Sequence, residues 1–291
     1  MNADIVCFFD EKTNSASYVA ADPETRRAAI IDPVLDFDPI SACTSSESAE
    51  RILDHVAAKN LSVDWILETH VHADHLTASN WLKMRLGSKT GVGSGIREVR
   101  ATFGEVFNAL DIIDTEASPY DKLFDDGEKF KVGDIDARVI ATPGHTPSCV
   151  TYIIGNACFI GDTMFMPDSG TARCDFPGGD AKQLFGSLQK IFSLPDEMRL
   201  FVCHDYGAGG VRDFAWETTV GEQRRSNIHI SGGVKEDDYV QMRSDRDATL
   251  SLPRLIIPAV QVNMRAGHFP PVEENGTSYI KVPLNVFQTR D

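Results

Sequence analysis

Apolar and polar positions along the chain follow two periods, and their alternation predicts the fold. Ser17-Tyr18-Val19-Ala20 and Ala28-Ala29-Ile30-Ile31-Asp32 are short runs of strand-forming residues separated by Asp22-Pro23-Glu24, a turn sequence. They predict a hairpin at one edge of a sheet. Beyond them the period lengthens: Ala49, Ile52, Leu53, Val56 and Ala57 recur at helical spacing, and Thr44 with Glu47 three residues on reads as a capping box. Val63-Asp64-Trp65-Ile66-Leu67-Glu68 is a strand that ends directly at Thr69-His70. Leu76, Ser79, Asn80, Leu82, Lys83 and Leu86 then suit a helix capped by Asp74 and stopped at Gly87. Further strands are predicted around residues 137–140, 149–154, 157–160 and 200–203, and a helix over Ala181–Phe192.

This mixture makes the chain α/β. No repeat, low-complexity tract or Pro-, Gly- or Ser-rich linker divides the 291 residues, so one domain over 1–291 is expected, with a C-terminal elaboration from about residue 206.

Composition narrows the function classes. The 43 acidic and 28 basic residues give a net charge of −15, which repels phosphate backbones and anionic lipid heads. Neither nucleic acid nor membrane is expected as a partner, and an anionic ligand must meet locally placed arginines. Apolar runs such as Leu255-Ile256-Ile257 fall far short of the roughly 20 residues of a membrane span. Met1-Asn2-Ala3-Asp4 begins no basic and apolar secretory leader, so a cytoplasmic location is expected. Cys7, Cys43, Cys149, Cys158, Cys174 and Cys203 are scattered without a CxxC pair, which argues for reduced thiols. Cys149 and Cys203 lie near motif histidines but read as small buried residues, and no cysteine is assigned as a nucleophile.

The chemistry concentrates in His70-Val71-His72-Ala73-Asp74-His75, four metal ligands within six residues at the end of a strand. Such an imidazole and carboxylate cluster suits Zn(II), Fe(II) or Mn(II). Two small-residue turns follow, Thr142-Pro143-Gly144-His145-Thr146 and Ile160-Gly161-Asp162-Thr163, and Cys203-His204-Asp205 ends another strand. Gly144 and Gly161 permit tight backbone geometry beside an ion. His55, His229 and His268 lack ligand spacing and read as structural or exposed.

In this order the motifs resemble the metallo-β-lactamase superfamily, which implies an αββα sandwich of two mixed sheets flanked by helices, with a metal site at one edge. The wider segments Glu68 to His75, Gly170-Thr171-Ala172-Arg173-Cys174-Asp175-Phe176-Pro177-Gly178, Cys203-His204-Asp205-Tyr206, Glu222-Gln223-Arg224-Arg225-Ser226-Asn227 and Val260-Gln261-Val262-Asn263-Met264-Arg265 resemble its persulfide dioxygenases, bacterial branch. That resemblance implies one Fe(II) per chain held by His70, His145 and Asp162, the facial triad of non-haem oxygenases. His72, Asp74, His75 and His204 are then expected to orient ligands and waters by hydrogen bonds. The implied reaction oxidises glutathione persulfide with O2 and water to glutathione and sulfite.

Arginine forks suit the carboxylates of glutathione. Arg173, Arg225 and Arg265, with Tyr206, lie in the resembling segments and are the candidate substrate contacts, each alternatively a structural ion pair, hydrogen bond or exposed charge. Phe176-Pro177-Gly178-Gly179 reads as a turn holding the Arg173 segment. Because every ligand of a two-metal site is present, a glyoxalase II-like dinuclear zinc hydrolase of glutathione thioesters stays open. So does a non-catalytic sensor built on the same site. A homo-oligomer such as a dimer is left open as well.

Overall fold

The structure is a computed structural model that describes residues 2–113 and 118–287. Six strands form the first sheet, in the spatial order Asp4–Asp10, Ser15–Ala21, Arg27–Ile31, Ser62–Leu67, Lys89–Gly93 and Lys122–Phe124. The first three pair antiparallel and the last four run parallel. The predicted hairpin is the pair Ser15–Ala21 with Arg27–Ile31, but the outermost strand at that edge is Asp4–Asp10.

Lys129–Val132, Ile135–Ala141, Val150–Ile154, Ala157–Phe159, Arg199–Phe201 and Glu217–Thr219 form the second sheet in chain order. Its single parallel pair joins Ala157–Phe159 to Arg199–Phe201. The two sheets pack face to face. Tyr18, Ala20, Ile31, Leu67 and Phe124 from the first meet Val139, Tyr152, Phe159 and Phe201 from the second in one buried cluster. Alternation along each strand explains this, since successive side chains point to opposite faces. Val19, Ile30 and Ile66, one position away, face outward onto Ile52 and Val56 of helix Glu47–Ala58, Leu82 of helix Ser79–Leu86 and Val262 of helix Ile256–Asn263.

Helix Ala181–Phe192, with the predicted bounds, covers the outer face of the second sheet through Leu184, Leu188 and Ile191. Tyr239 of helix Glu236–Asp247 joins that cluster. The layers are therefore helix, sheet, sheet, helix, the αββα sandwich of the metallo-β-lactamase fold.

Two helix starts differ from the sequence expectation. Thr44 lies in a short strand, Cys43–Ser45, opposite Phe37, and no side chain caps helix Glu47–Ala58. Asp74 caps nothing, because Leu76–Thr77 pairs as a strand with Val34 and Leu35 and delays the helix to Ser79. Strand pairing with a distant segment wins over the local helical spacing. The far end is as predicted: Gly87 closes helix Ser79–Leu86 in the left-handed conformation.

Strand direction positions the site. The parallel strands Arg27–Ile31 and Ser62–Leu67 run side by side into Asp32 and Thr69-His70, and Ala157–Phe159 and Arg199–Phe201 run into Asp162 and His204. Ser15 begins its strand by bridging to His204, and the Ala16 amide donates to the Cys203 carbonyl at 2.8 Å. That stitch joins the two sheets at the edge where the ligands collect.

Candidate metal centre

Each ligand ring is aimed by what holds its other nitrogen. Asp32 accepts the Thr69 amide at 2.7 Å and the Thr69 hydroxyl at 2.8 Å. With its only proton given to Asp32, the Thr69 oxygen receives Nδ1–H of His70 at 3.0 Å, which leaves His70 Nε2 as a free lone pair. His145 donates Nδ1–H to the Arg173 carbonyl at 2.7 Å, and His204 donates Nδ1–H to the Asn14 carbonyl at 3.1 Å. Carbonyls only accept, so both rings also present Nε2.

Glycines fit where a larger residue would strain the turns. Gly144 sits at φ 140°, and a Cβ there would lie 2.3 Å from the Leu184 amide nitrogen. Gly161 sits at φ 50°, and its Cβ would come within 2.6 Å of the Thr69 hydroxyl, displacing the group that orients His70.

The ligand atoms of His70, His145 and Asp162 all lie within 4.8 Å of one another, as do those of His72, Asp74, His75 and His204. Asp162 stands between the groups. Its Oδ2 is 4.0 Å from His70 Nε2 and 3.6 Å from His145 Nε2, while Oδ1 is 3.4 Å from His204 Nε2. Asp74 Oδ2 lies 3.4 Å from His204 Nε2 and 3.3 Å from His75 Nδ1. The structure thus brings together all seven predicted metal-motif residues.

Their electrostatics fit a cation. His70 Nε2, His75 Nε2, His204 Nε2 and Asp162 Oδ1 are buried without a hydrogen bond, each at a typical cost of about 1–3 kcal/mol. Burial, and then the neighbouring His72 and His145, hold His70 well below the usual histidine range, in the neutral form that ligates. For His204 burial opposes the charged ring, but Asp74 and Asp162 raise it well above its ordinary value. Asp74 is likewise drawn well below the carboxylate range by His204 and His75, against its own burial. A bound cation would take the place of those protons.

His72 is oriented differently. Its Nε2 lies 3.0 Å from Asp32 and 3.3 Å from Glu68, so Nδ1 is its remaining ligand atom, 4.0 Å from Cys203 Sγ. Sequence reasoning missed Asp32, although Ile30-Ile31-Asp32 closes a strand beside the histidine turn. It also missed Ser15, whose hydroxyl lies 3.3 Å from Asp74, 3.2 Å from His75 Nδ1 and 3.4 Å from His204 Nδ1. No local signal marks Ser15.

Asp74, His145, Asp162 and His204 line a cleft of about 1130 Å³ walled by Phe165, Phe176 and Tyr206. The predicted substrate contacts divide. Tyr206 lines the cleft with its ring nearly parallel to that of His204. Arg173 also lines it, but its guanidinium is held by Asp175 at 2.6 and 2.8 Å and by the Ser251 carbonyl at 2.7 Å. Arg225 is exposed and outside the lining. Arg265 is also outside it, buried in a fork with Asp111 at 3.0 and 2.8 Å. The cleft's own cations include Lys12, Arg246 and Arg254, whose side-chain nitrogens make no ion pair or hydrogen bond among the described residues.

Residues 13–204 match the profile of the Metallo-beta-lactamase superfamily. A "Beta-lactamase hydrolase-like protein" of Agrobacterium fabrum is 51% identical over 98% of the chain, which spans only 65% of that relative's length. "Glyoxylase B2" of Dictyostelium discoideum is 45% identical over 97% of both chains. The human mitochondrial "Persulfide dioxygenase ETHE1" is 30% identical over 89% of this chain and 87% of its own. Among solved structures, ETHE1 from Myxococcus xanthus superposes with a TM-score of 0.73 at 30% identity, over 91% of this chain and all of that one.

Proposed function

We propose that this chain, which belongs to the metallo-β-lactamase superfamily, is a persulfide dioxygenase that converts glutathione persulfide, O2 and water to glutathione and sulfite at one Fe(II). The observation that carries the reading is the grouping of ligands. His70, His145 and Asp162 converge as two imidazoles and one carboxylate, while His72, their neighbour in the motif, has Nε2 held by Asp32 and groups with Asp74, His75 and His204. Similarity to ETHE1 proteins along most of the chain supports it as well.

Held by those three residues, Fe(II) would supply one-electron redox chemistry that Zn(II) lacks, with about three coordination positions left open. The chain's own part is to bind and orient. Phe165 and Phe176 line the approach with apolar surface, which lowers the water content around a persulfide sulfur. Lys12, Arg246 and Arg254 stand ready for the two carboxylates of glutathione, as a chain of net charge −15 requires. Tyr206 offers a hydroxyl on the same wall.

A second reading is favoured by the other half of the site. His75 and His204 keep buried nitrogens without a hydrogen bond in the group they form with His72 and Asp74, and relatives of 51% and 45% identity are named "Beta-lactamase hydrolase-like protein" and "Glyoxylase B2". Under it, Asp162 would bridge two metals and the chain would hydrolyse glutathione thioesters. Metal analysis of protein purified without added metal separates the two. About one iron per chain supports the dioxygenase, and two zincs per chain overturn it.

A further inference from the structure

We propose that Asn263 is a positioning residue of the metal centre, setting the backbone of the histidine turn from the C-terminal helix Ile256–Asn263. It lies outside the stretch 13–204 that matches the superfamily profile, and the inference holds for either reaction. Asn263 is buried, and both N–H donors and the oxygen of its amide are engaged at this one turn. Nδ2 donates to the carbonyls of His72 at 2.8 Å and His75 at 2.7 Å, and Oδ1 accepts the Thr77 amide at 2.8 Å. The opposite amide orientation would face an oxygen against two carbonyl oxygens, so the network fixes it.

The turn needs this help. Among the described residues, no backbone hydrogen bond outside the helices and strands joins two members of residues 70–75. The entry of the turn is held by Asp32 through the Thr69 amide, and Asn263 holds its exit. Asn263 is itself fixed, because its carbonyl accepts the buried Tyr120 hydroxyl at 2.9 Å. Asp74 and His75 therefore present their ligand atoms from a backbone that three distant residues pin, Asp32, Asn263 and Ser148, whose hydroxyl accepts the Val71 amide at 3.3 Å.

Gln261 supplies an internal comparison on the same helix. It is equally buried, but its amide bonds go to the Ile257 carbonyl and to Lys281 of the C-terminal segment, away from the metal. The experiment titrates metal-free wild type, Asn263→Ala, Asn263→Asp and Gln261→Ala with Co(II), following the visible absorption of the bound ion, and records thermal unfolding of each. Asn263→Asp keeps the shape of the side chain, which guards against an alanine variant that fails to fold. Both Asn263 variants should bind Co(II) about 10–100-fold more weakly, the usual loss for groups that orient ligands. Gln261→Ala should unfold at lower temperature yet keep Co(II) affinity within about twofold of wild type, well short of that loss. Wild-type Co(II) affinity in a folded Asn263 variant overturns the proposal. An equal loss of affinity in Gln261→Ala does so too, by reducing Asn263 to general packing.

Discussion

His72 and Asp32 share a buried contact of 3.0 Å between Nε2 and Oδ1, and it turns the His72 ring the opposite way from those of its neighbours. His70, His145 and His204 hold their proton on Nδ1 and aim Nε2 at the metal space; His72 holds its proton on Nε2. Burial opposes a charge on this ring, but Asp32, then Cys203, raise His72 well above the histidine range. The same carboxylate orients His70 through Thr69, so Asp32 sets two of the motif's three histidines at once.

Thr69→Val should therefore act first on His70, while also removing a hydrogen bond from Asp32. Valine keeps the volume but removes the hydroxyl that receives Nδ1–H, freeing the ring to rotate and to change tautomer. Metal affinity should fall about 10–100-fold, with a smaller effect on unfolding temperature. Competition against a chelator measures it, and an affinity equal to wild type would remove Thr69 from the orienting chain.

The two groups of ligands should separate under mutation. His70→Ala, His145→Ala or Asp162→Ala should abolish iron retention and O2 uptake together. His75→Ala should retain about one iron per chain while turnover falls, the outcome expected if His75 orients the iron ligands rather than binding iron itself. Metal content and O2 uptake on the same samples check both halves.

The ligands were legible in the sequence because HxHxDH, the turn before His145 and Gly161-Asp162 are local patterns placed at strand ends. The residues that aim them were not. Asp32 lies 37 positions from Thr69, Ser15 lies 59 from Asp74, and Asn263 lies 188 from His75, so each depends on how the sheets close. The surroundings of Arg265 were hidden for the same reason: it meets Asp111 across 154 positions, and nothing local in Val262-Asn263-Met264-Arg265 announces that partner. Alternation placed individual strands and the family resemblance implied the αββα layering, whereas Leu76–Thr77 was hidden because its partner strand, Val34–Asp38, begins 42 residues earlier.

Substrate use should depend on the cations that line the cleft. Arg246→Ala and Arg254→Ala should each lower kcat/KM for glutathione persulfide by about 10-fold, mainly through KM, as expected for losing one charged hydrogen bond at a partly solvated site. Arg225→Ala should leave kinetics unchanged. Arg265→Ala should lower stability by about 1–3 kcal/mol, since it leaves Asp111 and the Gln261 carbonyl unpaired. Steady-state kinetics and thermal unfolding of the four variants test the assignment, and an unchanged KM in both cleft variants would discard it.

His229 predicts an acid limit on stability that is independent of the metal ligands. Burial, and then the charges of Arg243 and Arg246, push its pKa down to about 4. Its Nδ1 accepts the Thr171 amide at 2.8 Å, a bond that only the unprotonated nitrogen can make. In the unfolded chain the ring takes up a proton near pH 6.5, and in the folded chain only near 4. Stability is therefore full above about pH 6.5 and declines as pH falls toward 4, because the unfolded state binds the extra proton. His229→Gln should flatten this part of the profile, and unfolding of metal-free protein between pH 4 and pH 7 measures the slope.

The central claim is tested most directly by adding glutathione persulfide to iron-loaded protein in an oxygen electrode and counting the sulfite formed. The account predicts one O2 consumed and one sulfite released per persulfide. No O2 uptake from iron-loaded protein, together with rapid hydrolysis of a glutathione thioester by the zinc-loaded form, would contradict it.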